Sequence, residues 1–202
     1  MLTILYGPIL HLMNVTDFAP LAGYLGAATS VILSNFGAAV GTYKSAIGIA
    51  HLGIVHPSGV VKNLLSVIMS GVVGLFGLIL AIVIASNVTP PTEDGYRTYS
   101  EFNAWRDLSA GIICGVTCLA AGWSTGVAAE AGITATGMRA AFNIGKANRV
   151  FGGGLDGDEG DAAKIYVSNV TILSFASAIA LYAFIAALIT AAHPGYYCGQ
   201  SE

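Results

Sequence analysis

The sequence predicts an all-α membrane protein whose four transmembrane helices form two tandem helix hairpins, assembled side by side into a ring. Only 9% of the 202 residues are charged, whereas a soluble domain carries about a quarter. Four long uncharged stretches follow one another, and each can cross a bilayer as a helix of roughly 20 residues. These stretches are bounded by Asp17/Lys44, Lys62/Glu93, Asp107/Glu130 and Lys164/His193.

The stretches also set the expected limits of the parts of the chain. We expect a lumenal N-terminal segment over 1–17, a first hairpin over 18–92, a lumenal connection over 93–107, a second hairpin over 108–192 with a cytosolic insert at 143–164, and a lumenal tail over 193–202. The orientation follows from the positive-inside bias, because the basic residues gather at the first and third connections. These residues are Lys44, Lys62, Arg139, Lys146, Arg149 and Lys164.

The two hairpins are repeats of each other. A shift of 85 positions lays the first span on the third and superposes three pairs of glycines, Gly26 on Gly111, Gly37 on Gly122 and Gly41 on Gly126. A shift of 106 lays the second span on the fourth, so that Asn63 meets Asn169 and Phe76 meets Tyr182. The difference of 21 residues (106 minus 85) is the insert at 143–164, which we interpret as a flexible loop.

The six superposed glycines predict how the helices pack. Glycines four apart let helix backbones approach closely, which drives association in lipid, where apolar burial gives no net gain. They lie on the first and third spans, whereas the second and fourth carry more bulky side chains. We therefore expect the odd spans to form a tight inner layer and the even spans an outer layer. Such units, stacked head to tail, close into a ring.

No soluble-enzyme chemistry fits the sequence. It contains no phosphate-binding loop, no paired acids for hydrolysis and no His/Cys cluster at metal spacing, so we expect no cofactor, no metal and no catalytic residue. Basic residues are too scarce for nucleic-acid binding. Cys114 and Cys118 stand four apart on one helix face, and we interpret them as small packing residues.

Several segments carry a family resemblance. They are Phe18-Ala-Pro-Leu-Ala-Gly-Tyr-Leu-Gly-Ala-Ala28, Gly37-Ala-Ala-Val-Gly-Thr-Tyr-Lys-Ser45 and Lys62-Asn-Leu-Leu-Ser-Val-Ile-Met-Ser-Gly71 in the first hairpin, then Leu119-Ala-Ala-Gly122, Glu130-Ala-Gly132 and Phe175-Ala-Ser-Ala-Ile-Ala-Leu-Tyr182. The chain resembles the c-type proteolipid of the rotary vacuolar proton-pumping ATPase. The likeness covers about three quarters of the chain and is densest from Phe18 to Ser86.

The resemblance implies a function and a set of partners. It implies a rotor-ring subunit in an acidic endomembrane compartment, turned by ATP hydrolysis in a cytosolic head. The protein is not an enzyme on its own. Its expected partners are paralogous proteolipids of the ring, the stator a-type subunit, the central stalk and membrane lipid. A second hypothesis is a homo-oligomeric membrane scaffold or pore that descends from the same fold.

The chain departs from that family at the proton carrier. Most members carry the proton on a glutamate in the fourth span, within a Phe-Ala-Glu triplet, and here the triplet reads Phe175-Ala176-Ser177. A variant member places its glutamate on the second span, at about Gly71. The resemblance thus marks Ser177 and Gly71 as the carrier positions, and neither can ionise. We expect a ring member that carries no proton itself.

One acid, Glu130, remains at membrane depth, and intramembrane acids are functional candidates. We expect a structural or half-channel role for it, with a relocated proton carrier as the alternative, and we take Glu130 and Tyr182 as candidates for a proton path. Lys44, near the end of the first span, is expected to extend its ammonium to the membrane surface.

Overall fold

The computed structural model describes residues 18–55, 57–88, 101–149 and 158–192. Within these residues the chain is helical throughout, apart from single residues at helix ends, and it contains no strand. The helices are α1 (Phe18–Val55), a short 3-10 helix (Pro57–Gly59), α2 (Val60–Asn87), α3 (Glu101–Arg149) and α4 (Asp158–Ala192). The 3-10 helix therefore lies in the tight connection between α1 and α2.

All four α-helices are long and apolar enough to cross a membrane. The apolar spans run over Ala19–Ile54, Val60–Asn87, Phe102–Arg139 and Ala163–Ala192. Large hydrophobic side chains on all four helices point outward, among them Phe36, Ile82, Trp123 and Phe175, each more than half exposed. Such a surface suits a lipid environment. The prediction of an all-α membrane fold with four spans is confirmed.

Two expected loops are shorter than the sequence suggested. Helix α3 begins at Glu101, inside the expected connection, and continues to Arg149, inside the expected insert, while α4 begins at Asp158. The flexible-loop interpretation of 143–164 is therefore wrong at both ends of that segment. Residues 143–149 contain no Pro that would end α3 earlier. Residues 1–17, 56, 89–100, 150–157 and 193–202 lie outside the described residues.

Helices α1 and α3 touch backbone to backbone. A Cβ atom added to Gly26 would lie 2.7 Å from the Asp107 backbone oxygen, and one added to Gly37 would lie 2.7 Å from the Leu119 Cα. Real Cβ atoms do not approach backbone this closely, so only glycine fits at these places. Gly26 and Gly37 thus lie at a close contact between the backbones of the two odd spans.

This contact keeps one register along the membrane. A Cβ on Gly111 would overlap Gly26, and a Cβ on Gly122 would overlap Gly37. A Cβ on Gly126 would lie 2.8 Å from the Gly41 Cα. Each of these pairs is separated by 85 residues, for example 111 minus 26. The sequence repeat therefore corresponds to physical contact, and α1 and α3 run parallel.

Helices α2 and α4 are joined at both ends. The Tyr166 hydroxyl donates to the Lys62 carbonyl oxygen at 3.1 Å, and the Asn87 amide donates to the Ala191 carbonyl oxygen at 2.9 Å. Both pairs are 104 residues apart, so the two even helices also run parallel without a change of register. Between them, Phe76 stacks on Phe184 with ring centroids 5.5 Å apart.

Serine hydroxyls tie α1 to α2. The Ser30 hydroxyl donates to the Gly77 carbonyl oxygen at 3.2 Å, and the Ser70 hydroxyl donates to the Ala38 carbonyl oxygen at 3.3 Å. Both serines are fully buried. Interhelical hydrogen bonds of this kind stabilise helix pairs in lipid, where no water competes for the hydroxyl.

The interior is built from small residues. The main core cluster consists of alanines and cysteines from α1, α3 and α4, packed around larger side chains of α2: Val73, Leu80 and Ile84. Cys114 and Cys118 are fully buried in it, with their sulfur atoms 3.8 Å apart. Small side chains allow the close helix approach that the glycines begin. The interpretation of both cysteines as packing residues fits this environment.

Gly111→Ala tests the backbone contact. The new methyl group would meet the Gly26 backbone, which can yield only if α1 and α3 separate. We expect the substitution to lower the free energy of unfolding by about 1 to 3 kcal/mol. Reversible unfolding of the reconstituted protein would measure the change.

Gly71→Ala is the matched control, because a Cβ there meets nothing within 4 Å. It should leave the free energy of unfolding within about 1 kcal/mol of the unsubstituted protein. Equal destabilisation by Gly111→Ala and Gly71→Ala would show that the backbone contact does not hold the fold together.

Candidate functional site

The first carrier position, Gly71, lies on the outer face of α2. The residue is exposed, and the space around its absent side chain is open for 4 Å. The neighbouring Ser70 faces the opposite way, into the interior. At the position that the resemblance marks, α2 therefore faces outward without any group that can bind a proton.

The second carrier position, Ser177, lies partly buried on α4. Its hydroxyl donates to the Leu173 carbonyl oxygen at 3.0 Å, one turn earlier in the same helix. This is the usual bond of a serine inside a membrane helix. The hydroxyl therefore donates its hydrogen bond within α4. Serine, unlike a carboxylic acid, does not ionise and so cannot bind and release a proton as a carrier does.

Tyr182 lies away from the interior. Its side chain is 68% exposed on α4. Among the described residues no hydrogen bond joins Tyr182 to Glu130, which lies at the contact between α1 and α3. The two candidates for a proton path are therefore not brought together within one chain.

Glu130 forms an ion pair with Lys44. The Lys44 Nζ lies 3.0 Å from a carboxylate oxygen of Glu130, and the side chains are 34% and 32% exposed, respectively. The pair joins α1 to α3 where glycines bring the backbones together. A Cβ on Gly126 would lie 3.1 Å from the Lys44 Cβ, and one on Gly48 would lie 3.3 Å from the Glu130 Cα.

In this ion pair, Lys44 and Glu130 compensate each other's charge, and either charge alone would be costly at membrane depth. An isolated ionised side chain there costs at least several kcal/mol, and pairing removes much of that penalty. The sequence pointed to Lys44 as a residue that reaches the membrane surface, which stays a prediction; the structure adds that its ammonium contacts Glu130. The repeat could have revealed the pair, since a shift of 85 carries Lys44 to position 129, beside Glu130.

A second ion pair lies at the opposite end of α3. Asp107 is fully buried, and Arg106 contacts its carboxylate at 3.3 Å. The Asp107 backbone oxygen lies against Gly26. In the sequence this aspartate marked only the end of an uncharged stretch. The structure places it inside the contact between α1 and α3, where the arginine compensates its charge.

These features define a class. A chain with two parallel helix hairpins in fixed register and a glycine contact between the odd helices has the architecture of a tandem-hairpin membrane proteolipid. The family model for the ATP synthase c-subunit matches the chain twice, over residues 25–84 and 108–190, once for each hairpin. The chain belongs to the ATP synthase c-subunit family.

The chain is also similar to individual proteolipids of V-type proton ATPases. The chain is 37% identical over 171 residues to the V-type proton ATPase 16 kDa proteolipid of Chrysotila carterae, covering 85% of this chain and 90% of the relative. It is 34% identical over 172 residues to the c'-subunit of the V-type proton ATPase from Saccharomyces cerevisiae, covering 85% and 88%. The corresponding values for the V-type proton ATPase 16 kDa proteolipid of Ascaris suum are 33%, 172 residues, 85% and 90%.

A double-mutant cycle tests the ion pair. Lys44→Met and Glu130→Gln should each lower the free energy of unfolding, because each leaves the partner's charge uncompensated. The double variant should lose less than the sum, with a coupling energy of about 1 kcal/mol. Reversible unfolding of the reconstituted chain measures all three changes.

The matched control replaces a different lysine. Lys62 is exposed on α2 and forms no ion pair with Glu130, so Lys62→Met combined with Glu130→Gln should give additive changes. Additivity for Lys44→Met and Glu130→Gln as well would mean that the pair contributes nothing to folding.

Proposed function

We propose that this chain is a proteolipid of the membrane rotor ring of a vacuolar-type ATPase. In that ring it contributes to ATP-driven proton transport across an endomembrane, and it does not carry a proton itself. The family membership and the names of its relatives support the ring assignment. The absence of an acid at both carrier positions, Gly71 and Ser177, supports the second part.

Whether the chain can carry a proton depends on the side chains at the two carrier positions, because a carrier must be able to ionise. A rotor carboxylate is neutral while it faces lipid and charged while it faces the cationic group of the stator, so its proton must come and go. Glycine has no side chain, and a serine hydroxyl does not ionise in this range. The open space at Gly71 and the intrahelical bond of Ser177 offer no substitute group.

Glu130 does not take over the role. Its carboxylate is held 3.0 Å from the ammonium of Lys44 on the same chain. The carboxylate is thus bound by a group of its own chain at the contact between α1 and α3, and it does not lie on the even helices that hold the two carrier positions. We therefore assign Glu130 and Lys44 to the joint between α1 and α3, and we assign Tyr182 no part in a path within this chain.

A ring in which one subunit carries no proton has a lower ratio of protons moved to ATP hydrolysed. Each full turn moves fewer protons for the same number of ATP molecules. Moving one charge against 100 mV costs about 2.3 kcal/mol. Fewer protons per ATP therefore allow the pump to work against a steeper gradient. The silent position itself stays neutral and passes through lipid without a desolvation cost.

The remaining assignments follow from the same proposal. The neighbours in the ring are homologous proteolipids that bear carboxylates, and the stator and central stalk contact the ring. The compartment is an acidic endomembrane organelle such as a vacuole, lysosome or endosome. Both termini face its lumen, as the clustering of basic residues at the first and third connections indicates.

Purification of the tagged chain from native membranes, followed by carbodiimide treatment, tests the proposal. We expect the chain to copurify with the soluble ATP-hydrolysing head and with homologous proteolipids. The carbodiimide should modify those proteolipids and leave this chain unmodified at mid-membrane. Mass spectrometry of each separated polypeptide gives the extent of modification.

Gly71→Glu is the positive control, because its side chain enters open space and should become a reactive mid-membrane acid. Stoichiometric modification of the unsubstituted chain at mid-membrane would refute the non-carrying role. Recovery of the chain without any part of the head would refute the pump assignment and favour the homo-oligomeric scaffold or pore.

A further inference from the structure

Asn35 places an amide group near the middle of the membrane. The apolar span of α1 runs over Ala19–Ile54, so Asn35 lies 16 residues from one end and 19 from the other (35 minus 19 and 54 minus 35). Its side chain is exposed on the surface of the chain. A polar group at this depth is costly unless another protein group completes its hydrogen bonds, because lipid tails form none.

The chain itself satisfies only part of this amide. One of the two Nδ2 hydrogens is donated to the Val31 carbonyl oxygen at 2.9 Å. Asn35 forms no other hydrogen bond with the residues that the structure describes. A primary amide has two donor hydrogens and an acceptor oxygen. One donor and the acceptor of Asn35 are therefore left for a group from outside the chain.

The amide borders the open space at Gly71. A Cβ atom added to Gly74 of α2 would lie 3.0 Å from the Asn35 Oδ1. Gly71 precedes Gly74 by three residues, so the two glycines are neighbours on the surface of α2, about 4.5 Å apart along its axis. Gly71 is exposed, and a Cβ there would meet nothing within 4 Å. The incompletely bonded amide and the space beside Gly71 thus lie on one outer surface.

A protonated carboxyl group matches the hydrogen bonds that this surface leaves open. It has one donor, the O–H, and one acceptor, the carbonyl oxygen. These are the complements of the Oδ1 and the remaining N–H of Asn35. An ionised carboxylate matches less well, because it has no hydrogen to donate to Oδ1 and the amide has no charge to compensate it. The surface therefore suits an acid that is neutral in lipid.

A second copy of this chain does not offer such an acid. The apolar spans of α1, α2 and α4 contain no Asp or Glu. The acids within the span of α3, Asp107 and Glu130, each form an ion pair inside the chain. The group that fits beside Asn35 therefore belongs to a different polypeptide.

We propose that Asn35 binds the protonated carboxyl group of the proton-carrying proteolipid next to this chain in the ring. The neighbour's side chain enters the space beside Gly71, its O–H donates to the Asn35 Oδ1, and its carbonyl oxygen accepts from Nδ2. This inference rests on the proposed function, which provides neighbours that bear carboxyl groups. The chain carries no proton itself, but it stabilises the neutral form of the acid beside it.

Crosslinking in the intact complex tests the contact. Asn35→Cys is introduced into the tagged chain, and the carbodiimide-reactive acid of each copurifying proteolipid is replaced by cysteine in turn. A short bis-methanethiosulfonate should join the chain to one of these proteolipids, and mass spectrometry identifies the two cysteines in the product.

Phe36→Cys is the matched control for the crosslink. Phe36 is the next residue, is also exposed, and points about 100° away around the axis of α1. It should give no more product than the chain without a new cysteine. The readout requires assembly but no proton pumping, so replacing the neighbour's acid does not remove it.

A second measurement separates a hydrogen bond from proximity alone. Asn35→Leu removes the amide, and the neighbour should then be retained about five-fold less in mild detergent, the effect of one hydrogen bond between membrane helices. Glutamine in place of the neighbour's acid keeps a donor and an acceptor, so the difference between Asn35 and Asn35→Leu should persist. Leucine in place of the acid should abolish that difference.

The outcomes separate this inference from the proposed function. Copurification with proteolipids but no crosslink at Asn35→Cys, or equal crosslinking at Phe36→Cys, would overturn the inference and leave the ring assignment standing. An equal effect of Asn35→Leu with the neighbour's acid intact or replaced by leucine would also overturn it, as would a crosslink between two copies through Asn35→Cys. Recovery of the chain without any proteolipid would refute the ring assignment and this inference together.

Discussion

The contact between the backbones of α1 and α3 is the constraint on which the rest of this structure depends. In lipid, helices gain little from burying apolar side chains against one another, so close approach has to supply the attraction. Glycines at equivalent positions of the two repeats permit that approach at Gly26, Gly37 and Gly41. The two hairpins therefore pack in a single register, and α2 and α4 also run parallel to each other.

The same close approach governs the polar groups. It brings Lys44 within 3.0 Å of Glu130, so two charges at membrane depth compensate each other inside one chain. It also buries Asp107 beside Arg106 at the other end of α3. Gly71, one of the two proposed carrier positions, differs from these paired groups: it faces outward and has no functional group. The chain retains the frame of the proteolipid family and pairs two of its acids, Glu130 and Asp107, with basic side chains.

The sequence was sufficient for the frame because its signals are local or repeated. Four uncharged stretches predicted the spans, and the 85-residue shift that defines the repeat is also the spacing of the glycines that the structure brings into contact. The ends of α3 and α4 were missed, because helices that continue past the membrane lose the apolar signal while keeping helix-forming residues. The partner of Lys44 was missed because side-chain pairing depends on how closely two helices approach each other. The functional roles of Ser177, Glu130 and Tyr182 stay predictions.

The central claim is that no group of this chain ferries protons, and acidification by a complex that carries Glu130→Gln tests it most directly. The complex is reconstituted into vesicles, assembly is verified from the set of polypeptides recovered, and the initial rate of ATP-driven acidification is compared with that of the unsubstituted complex. The account predicts an unchanged rate per assembled complex, because Glu130 acts as a fixed partner of Lys44. Loss of acidification with assembly intact would contradict it.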